Sequence, residues 1–498
     1  MLPKSNASTA NQTLSLWLMP EMARASPFQG SGLHFFFFSI ILRSKILGVN
    51  RARFRRSVWL INVAQSGCIV TPKPHKDHNI AVLHPTSNTR LAFLLLCALL
   101  SACQTETRSE PVDEKVVTRL PAPHQFANRD AWKLENNRLR VSVLQVGGHI
   151  AELVLKTSGG ESVNPLWVPP WPSIDPRTYN VKTHGDRYGT NSEASLLSGI
   201  MGHNLCFDFW GPPSDTEFVA GTPYHGAVST TLAAAWGDGN SSLSHRMNLS
   251  RSGTSIVRKM TLVSDQPVLY VEETAESLVP FDKPIGWVQH PTFGPPFVHP
   301  DTVYFDASAT VGDLGPEEDY ASLGKWPVGA AGEGQKDYRR FSPEAPSYKM
   351  AFFLMDSERD LQFITALSTK HNVLIGYLFW RSEYPWMMVW EENRRIQDSP
   401  WNGETVTRGM EFGNTRIPGT AKEYFKKPEI YDTPTFGWLD AQSRLTKRYM
   451  VFLTEIPASA TGVNDVTLNG NEIIVEVAGI QHAIRIAYDP AFFPRPQR

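Results

Sequence analysis

From Trp132 to Ala487 the chain is a series of short runs in which apolar and polar residues alternate, separated by turn-forming clusters rather than by amphipathic helices. Leu139, Val141 and Val143 alternate with Arg140 and Ser142, Gly147-Gly148 breaks the run, and Ile150 to Leu155 resumes it. A period of two puts successive side chains on opposite faces of a strand, so this stretch reads as a hairpin. Ser255 to Val263 and Pro267 to Thr274 flank Ser264-Asp265-Gln266 in the same way. Near the carboxyl end, Val466 to Leu468, Ile473 to Val477 and Ala483 to Ala487 surround Asn469-Gly470-Asn471. With no long helix of convincing period, alternating βαβ units are disfavoured, and the pattern predicts one mainly β domain over residues 131–498, a large antiparallel β-sandwich. Residues 313–346, rich in Gly, Pro, Glu and Lys, are expected to form a surface insertion. Within them Gly329 to Lys336 superficially resembles a phosphate loop, but the Gly-Lys-Ser/Thr ending is missing.

Charge narrows the choice of partner. The 498 residues carry a formal net charge of -1, which leaves no basic excess for nucleic acid. Fourteen Trp and fourteen Tyr are rings that suit the C–H faces and hydroxyls of sugars, or equally a large core.

The amino-terminal region has a different character. Arg90 precedes the apolar run Leu91 to Leu100, which is short for a membrane span and has the length of a signal-peptide core. Leu100-Ser101-Ala102-Cys103 follows and resembles the bacterial lipoprotein lipobox, which implies cleavage before Cys103 and its acylation. Residues 90–102 are then a lipoprotein signal segment and residues 103–130 a polar tether. The mature protein would sit on the periplasmic side, anchored by lipid, with Gln104 favouring the outer membrane. Cys206 would be its one other cysteine, so no internal disulfide framework is expected. Residues 1–89 have no sustained period and read as a mis-extended or unstructured leader. His75, His78 and His84 near Cys68 match no metal-site spacing.

Three segments carry candidate chemistry. In Gly286-Trp287-Val288-Gln289-His290-Pro291-Thr292-Phe293-Gly294, proline fixes its own φ and restricts the residue before it, so His290 is expected in extended backbone at a strand end. The alternative is a core histidine packed under Trp287 and Phe293. In Gly221-Thr222-Pro223-Tyr224-His225-Gly226, the histidine precedes a glycine that permits close backbone approach. In Arg408-Gly409-Met410-Glu411-Phe412-Gly413, apolar neighbours should raise the proton affinity of Glu411. Singly, His225 could cap a turn and Glu411 could pair with Arg408 or Arg416.

In this order, a turn histidine, a His-Pro-aromatic histidine about 65 residues on and a late glutamate in a Gly-rich strand, the segments resemble the aldose 1-epimerase, or galactose mutarotase-like, superfamily. The resemblance implies that fold and acid/base opening of a sugar ring at its anomeric centre. It gives Glu411 the role of taking the anomeric hydroxyl proton and His290 that of protonating the ring oxygen, with no metal or organic cofactor. His225, and with it His203 and Asn204, would bind sugar hydroxyls, while Trp287, Phe293 and Trp390 would offer stacking faces; Arg408 joins the same expected substrate set. The chain departs from the family pattern. His-Gly-Gly becomes His225-Gly226-Ala227, His-Pro-Tyr-Phe-Asn becomes His290-Pro291-Thr292-Phe293-Gly294, and Glu-Pro becomes Glu411-Phe412. The family's Asn-Arg pair is not evident, and Gly202-His203-Asn204 stands in its place.

A second acidic pair, Glu391-Glu392, ends the aromatic run Tyr384 to Trp390. Adjacent strand residues face opposite ways, so only one can reach a site, with Glu391 the expected sugar ligand, and together they flank one glycosidic bond poorly. The expected partner is a monosaccharide or oligosaccharide. Two other functions remain open: a non-catalytic carbohydrate-binding lipoprotein, and a polysaccharide lyase or hydrolase, for which no clear Tyr or His base beside an Arg or metal is visible.

Overall fold

The computed structural model describes residues 60–64, 67–71, 120–237, 239–313, 322–331 and 334–496. The chain divides into two units, residues 1–109 and 110–498. In the first, Leu60–Ala64 pairs antiparallel with Gly67–Thr71, so the stretch expected to be without structure contains a hairpin. The signal segment and Cys103 lie outside the described residues.

The second unit is a sandwich. A fifteen-stranded sheet and an eight-stranded sheet enclose one core, and a three-stranded sheet, Gly462–Asn469, Glu472–Ala478 and Ile484–Ala487, follows near the carboxyl end. The predicted hairpins are present, at Leu139–Leu144 with Ile150–Thr157 and at Thr254–Leu262 with Val268–Ser277. Alternation explains the layering: Leu205, Trp287, Phe293 and Phe412 from the larger sheet meet Met260, Val271, Tyr377 and Val451 from the smaller one. Burying such a layer is the dominant favourable term in folding.

Two boundaries differ from expectation. Ala122–Phe126 and Arg129–Glu135 are already paired strands of the larger sheet, so the tether does not extend to residue 130. The 313–346 segment is not wholly a surface excursion. Ser322–Lys325, Val328–Ala331 and Gly334–Asp337 extend the edge of the larger sheet, and Tyr338 and Phe341 enter the core.

Four neighbouring strands of the larger sheet position the site: β1 (His203–Asp208), β2 (Lys283–Phe293), β3 (Trp386–Asn393) and β4 (Val406–Gly413). Their spatial order is β3, β4, β2, β1. Pro291 lies in central strand β2, where it cannot donate to a ladder. The β2–β4 register runs from Gln289 opposite Phe412 to Thr292 opposite Gly409, and the intervening His290 falls opposite Glu411. The sequence therefore places the two across one rung, with a proline interrupting the hydrogen bonding beside them.

Candidate active site

One face of these strands forms the floor of a cavity of about 650 Å³. Across it runs a row of opposed positions: Asn204 on β1, His290 on β2, Glu411 on β4 and Met388 on β3. The next row holds Thr292, Gly409 and Trp390. Side chains at opposed positions stand about 5 Å apart at their Cβ atoms, close enough for His290 and Glu411 to meet. His290 Nε2 lies 3.2 Å from Glu411 Oε1. Gly409 makes room for that contact, because a Cβ there would sit 3.1 Å from Glu411 Oε1 and 3.6 Å from the His290 ring.

Thr292 Oγ1 lies 2.9 Å from His290 Nδ1 and 3.3 Å from the His290 carbonyl. In the tautomer with the ring proton on Nδ1, the hydroxyl accepts that proton and donates to the carbonyl, and Nε2 presents its lone pair to Glu411. Burial disfavours charge on both groups: it pushes the Glu411 carboxyl up to about 8, with the Trp210 side chain opposing, and His290 down to about 4. At neutral pH the pair holds one proton, on the carboxyl, directed at a neutral imidazole.

His225 reaches the same cavity from the loop after β1. Its backbone is left-handed, with φ 60°, and its N–H donates to the Gly211 carbonyl at 3.0 Å. The Gly211 N–H donates back to His225 Nδ1 at 2.9 Å, leaving the proton on Nε2. Gly226 follows with φ 78°, and a Cβ there would lie 2.0 Å from the Phe207 carbonyl oxygen, so only glycine brings this loop against β1. The His225 ring meets that of His290 edge to face at 5.4 Å, and burial and His290 both hold His225 well below the usual imidazole range.

Of the residues expected in the site, His290, Glu411, His225 and Trp390 line the cavity together. Asn204 is on the right face but buried below the floor, its amide 3.6 Å from Cys206 Sγ. The others point away, and strand parity explains why. Trp287, Gln289 and Phe293 alternate with His290 and enter the core between the sheets. His203, adjacent to Asn204, does likewise, with Nε2 3.0 Å from Gln289 Oε1. Arg408, three residues from Glu411, binds Glu391 at 2.5 Å as a fully buried ion pair. Glu391 also accepts from the Ser342 N–H, so it is committed to the structure rather than to a ligand. Glu392 accepts the Ile396 N–H at 2.8 Å, also bonds the Arg395 N–H, and caps a turn.

The remaining walls come from connecting segments. Trp167 reaches the cavity because its N–H donates to the Thr292 carbonyl at 2.8 Å, which docks the 165–167 segment on the end of β2. A Cβ at Gly294 would sit 2.5 Å from the Trp167 ring, so the space opened by that glycine is filled by tryptophan. Trp401 stacks on Trp167 at 6.1 Å and meets Trp390 edge to face at 5.9 Å. Trp210, Tyr224, Tyr348 and Glu193 also face inward; burial raises Glu193 to about 7. Sequence reasoning passed over these residues, apart from Tyr224 within its histidine segment, because no local spacing links them. Among the described residues, no group of three His, Cys, Asp or Glu stands close enough together to hold a metal ion.

No family model matches the sequence, and no curated protein matches it. Solved structures do match in shape. A protein of Klebsiella pneumoniae described as a candidate aldose 1-epimerase aligns with a TM-score of 0.50 at 11% identity, over 67% of this chain and 82% of its own. A galactose mutarotase-like protein of Clostridium acetobutylicum aligns with a TM-score of 0.46 at 11% identity, over 67% of this chain and 98% of its own. At such identity the likeness is one of fold, and the protein has a mainly antiparallel, galactose mutarotase-like β-sandwich fold.

Proposed function

We propose that the protein is an aldose 1-epimerase-like isomerase, interconverting the anomers of a sugar by acid/base ring opening. The observation that carries this reading is the His290–Glu411 contact on the cavity floor, which holds one proton between an acid and a base. Ring opening removes a proton from the anomeric hydroxyl and delivers one to the ring oxygen as the C1–O5 bond breaks. Rotation about C1–C2 and reclosure reverse both transfers, so no external reactant is consumed. General acid and base groups of this kind contribute about 10²–10⁴-fold each.

Burial favours the neutral tautomer, in which the Glu411 carboxyl is the acid and His290 Nε2 the base. That is the reverse of the roles implied by the family resemblance. Passing the proton to His290 restores those roles, and because both forms carry the same proton count they share one pH profile. His225 Nε2–H is placed to donate to a sugar oxygen, and Trp390 supplies a ring face. Polarimetry on fresh α-D-galactose and α-D-glucose with wild type, His290→Ala and Glu411→Gln tests the assignment. Faster mutarotation by wild type alone supports it; equal rates in all three proteins refute it. Sugar-dependent thermal stabilisation without turnover would instead identify a binding protein.

We further propose that Cys103 is lipidated, on the strength of Leu100-Ser101-Ala102-Cys103, and that the sandwich faces the periplasm. An intact mass of membrane-extracted protein that retains residues before Cys103 would refute this.

A further inference from the structure

A second cavity, of about 590 Å³, is lined in part by residues adjacent in sequence to those that line the first. In the loop that carries His225, Thr222 and Pro223 line the second cavity while Tyr224 and His225 line the first. In the segment around the short helix Ala194–Leu197, Ser192 and Ser195 line the second while Glu193 and Leu196 line the first. Along both segments, residues adjacent in sequence thus line one cavity or the other, with Glu193 and Tyr224 on the acid/base side.

The chemistry of the second cleft differs from that of the first. Its lining carries hydroxyl and amide groups, including Asn191 and Asn248, with Tyr179 and the 40% exposed Phe218 as ring faces, beside apolar side chains and two arginines. Arg177 is held by Asp175 through contacts of 3.0 and 2.5 Å, and Arg251 adds a second guanidinium to the wall. Hydrogen-bonding groups beside aromatic faces suit sugar units. The first cavity is itself in the size range that buries a drug-sized ligand, more than a single pyranose fills.

We propose that the substrate is the reducing end of an oligosaccharide, with its terminal ring over His290 and Glu411 and its further units crossing Glu193 and Tyr224 into the second cleft. The Glu193 backbone N–H donates to Asn191 Oδ1 at 3.1 Å, and among the described residues its carboxyl has no side-chain hydrogen bond or ion pair that would compete for a sugar hydroxyl at the crossing. Binding energy from the remote units is available to the reacting ring, so chain extension raises kcat/KM.

This inference rests on the acid/base reading of the first cavity, and the test separates the two. NMR exchange between α and β anomeric protons is measured at equilibrium for D-glucose, D-galactose, maltotriose and cellotriose. The proteins are wild type, Ser195→Trp, which fills the second cleft, and Phe218→Ala, which removes a ring face. The expected result is a kcat/KM at least tenfold higher for a trisaccharide than for either monosaccharide, a gain lost in both variants while monosaccharide turnover is unchanged. Equal efficiency on single sugars and trisaccharides, or a gain that survives both variants, overturns the inference alone. Absence of exchange with every sugar overturns the acid/base reading and this inference with it.

Discussion

The two faces of β2 contrast in how their buried polar groups are used. On the core face, Gln289 bonds Glu273 at 2.5 Å, Glu273 binds Arg258 at 2.7 Å, and Arg258 reaches the Gly148 carbonyl and the Tyr449 hydroxyl at 2.7 and 2.9 Å. Trp287 Nε1 completes the set by donating to Glu273 at 2.8 Å. On the cavity face, one residue along, His290 and Glu411 have each other and Thr292, with the rings of His225, Trp390 and Trp210 around them and the cavity above. Both faces bury ionisable groups, but the first saturates them and the second leaves donor and acceptor capacity for a ligand. The contrast locates function better than burial does, because a saturated network holds structure and an unsaturated one can do chemistry.

The contrast is broken most severely by exchanging the expected effects. His290→Ala or Glu411→Gln should lower mutarotation by roughly 10²–10⁴-fold, with unfolding midpoints no lower than wild type. Loss of stability without loss of turnover would place the pair with the core network. Conversely, Arg258→Met leaves Glu273 buried without its partner and should cost about 3–5 kcal/mol in denaturant unfolding. Turnover per folded molecule should change little.

A smaller effect follows from the sign of the Glu411 shift. Its folded-state value, about 8, lies above the ordinary 4.5, so the fold prefers the protonated carboxyl. The stability this gives is present below about pH 4.5 and lost as pH rises through about 8. Glu411→Gln should therefore melt higher than wild type at pH 9, with the gap closing toward pH 4.5. A gap independent of pH would contradict the assigned shift. Smallest of all, Thr292→Val removes the hydroxyl that hydrogen-bonds His290 Nδ1 and should cost about 1 kcal/mol in activation, roughly five- to tenfold in rate. Thr292→Ser should recover most of it.

Much of this was legible in the sequence. Alternation along residues 139–155, 254–277 and 462–487 gave the strands, and the order of His225, His290 and Glu411 gave the three polar groups that meet. Strand parity, which separates Glu391 from Glu392, was legible for other residues too. Trp287 and Phe293 each stand three residues from His290, as Arg408 stands three from Glu411, and an odd separation on a strand places side chains on opposite faces. His203 and Asn204 could not both face one site for the same reason. By contrast, Trp167, Trp401 and Glu193 arrive on connecting segments whose positions depend on long-range docking, such as the Trp167 N–H on Thr292, and no local spacing encodes that. The edge strands over 322–337 were hidden by Gly-rich composition that reads as loop.

The account rests on one shared proton between His290 and Glu411, and the pH dependence of wild-type mutarotation tests it most directly. Polarimetric kcat/KM should form a plateau that falls below about pH 4, where the pair gains a second proton, and above about pH 8, where it loses its only one. In Glu411→Gln the residual rate should lack the fall near pH 8. A wild-type rate that is flat from pH 4 to 9, or a fall near pH 8 that persists in Glu411→Gln, would contradict the account.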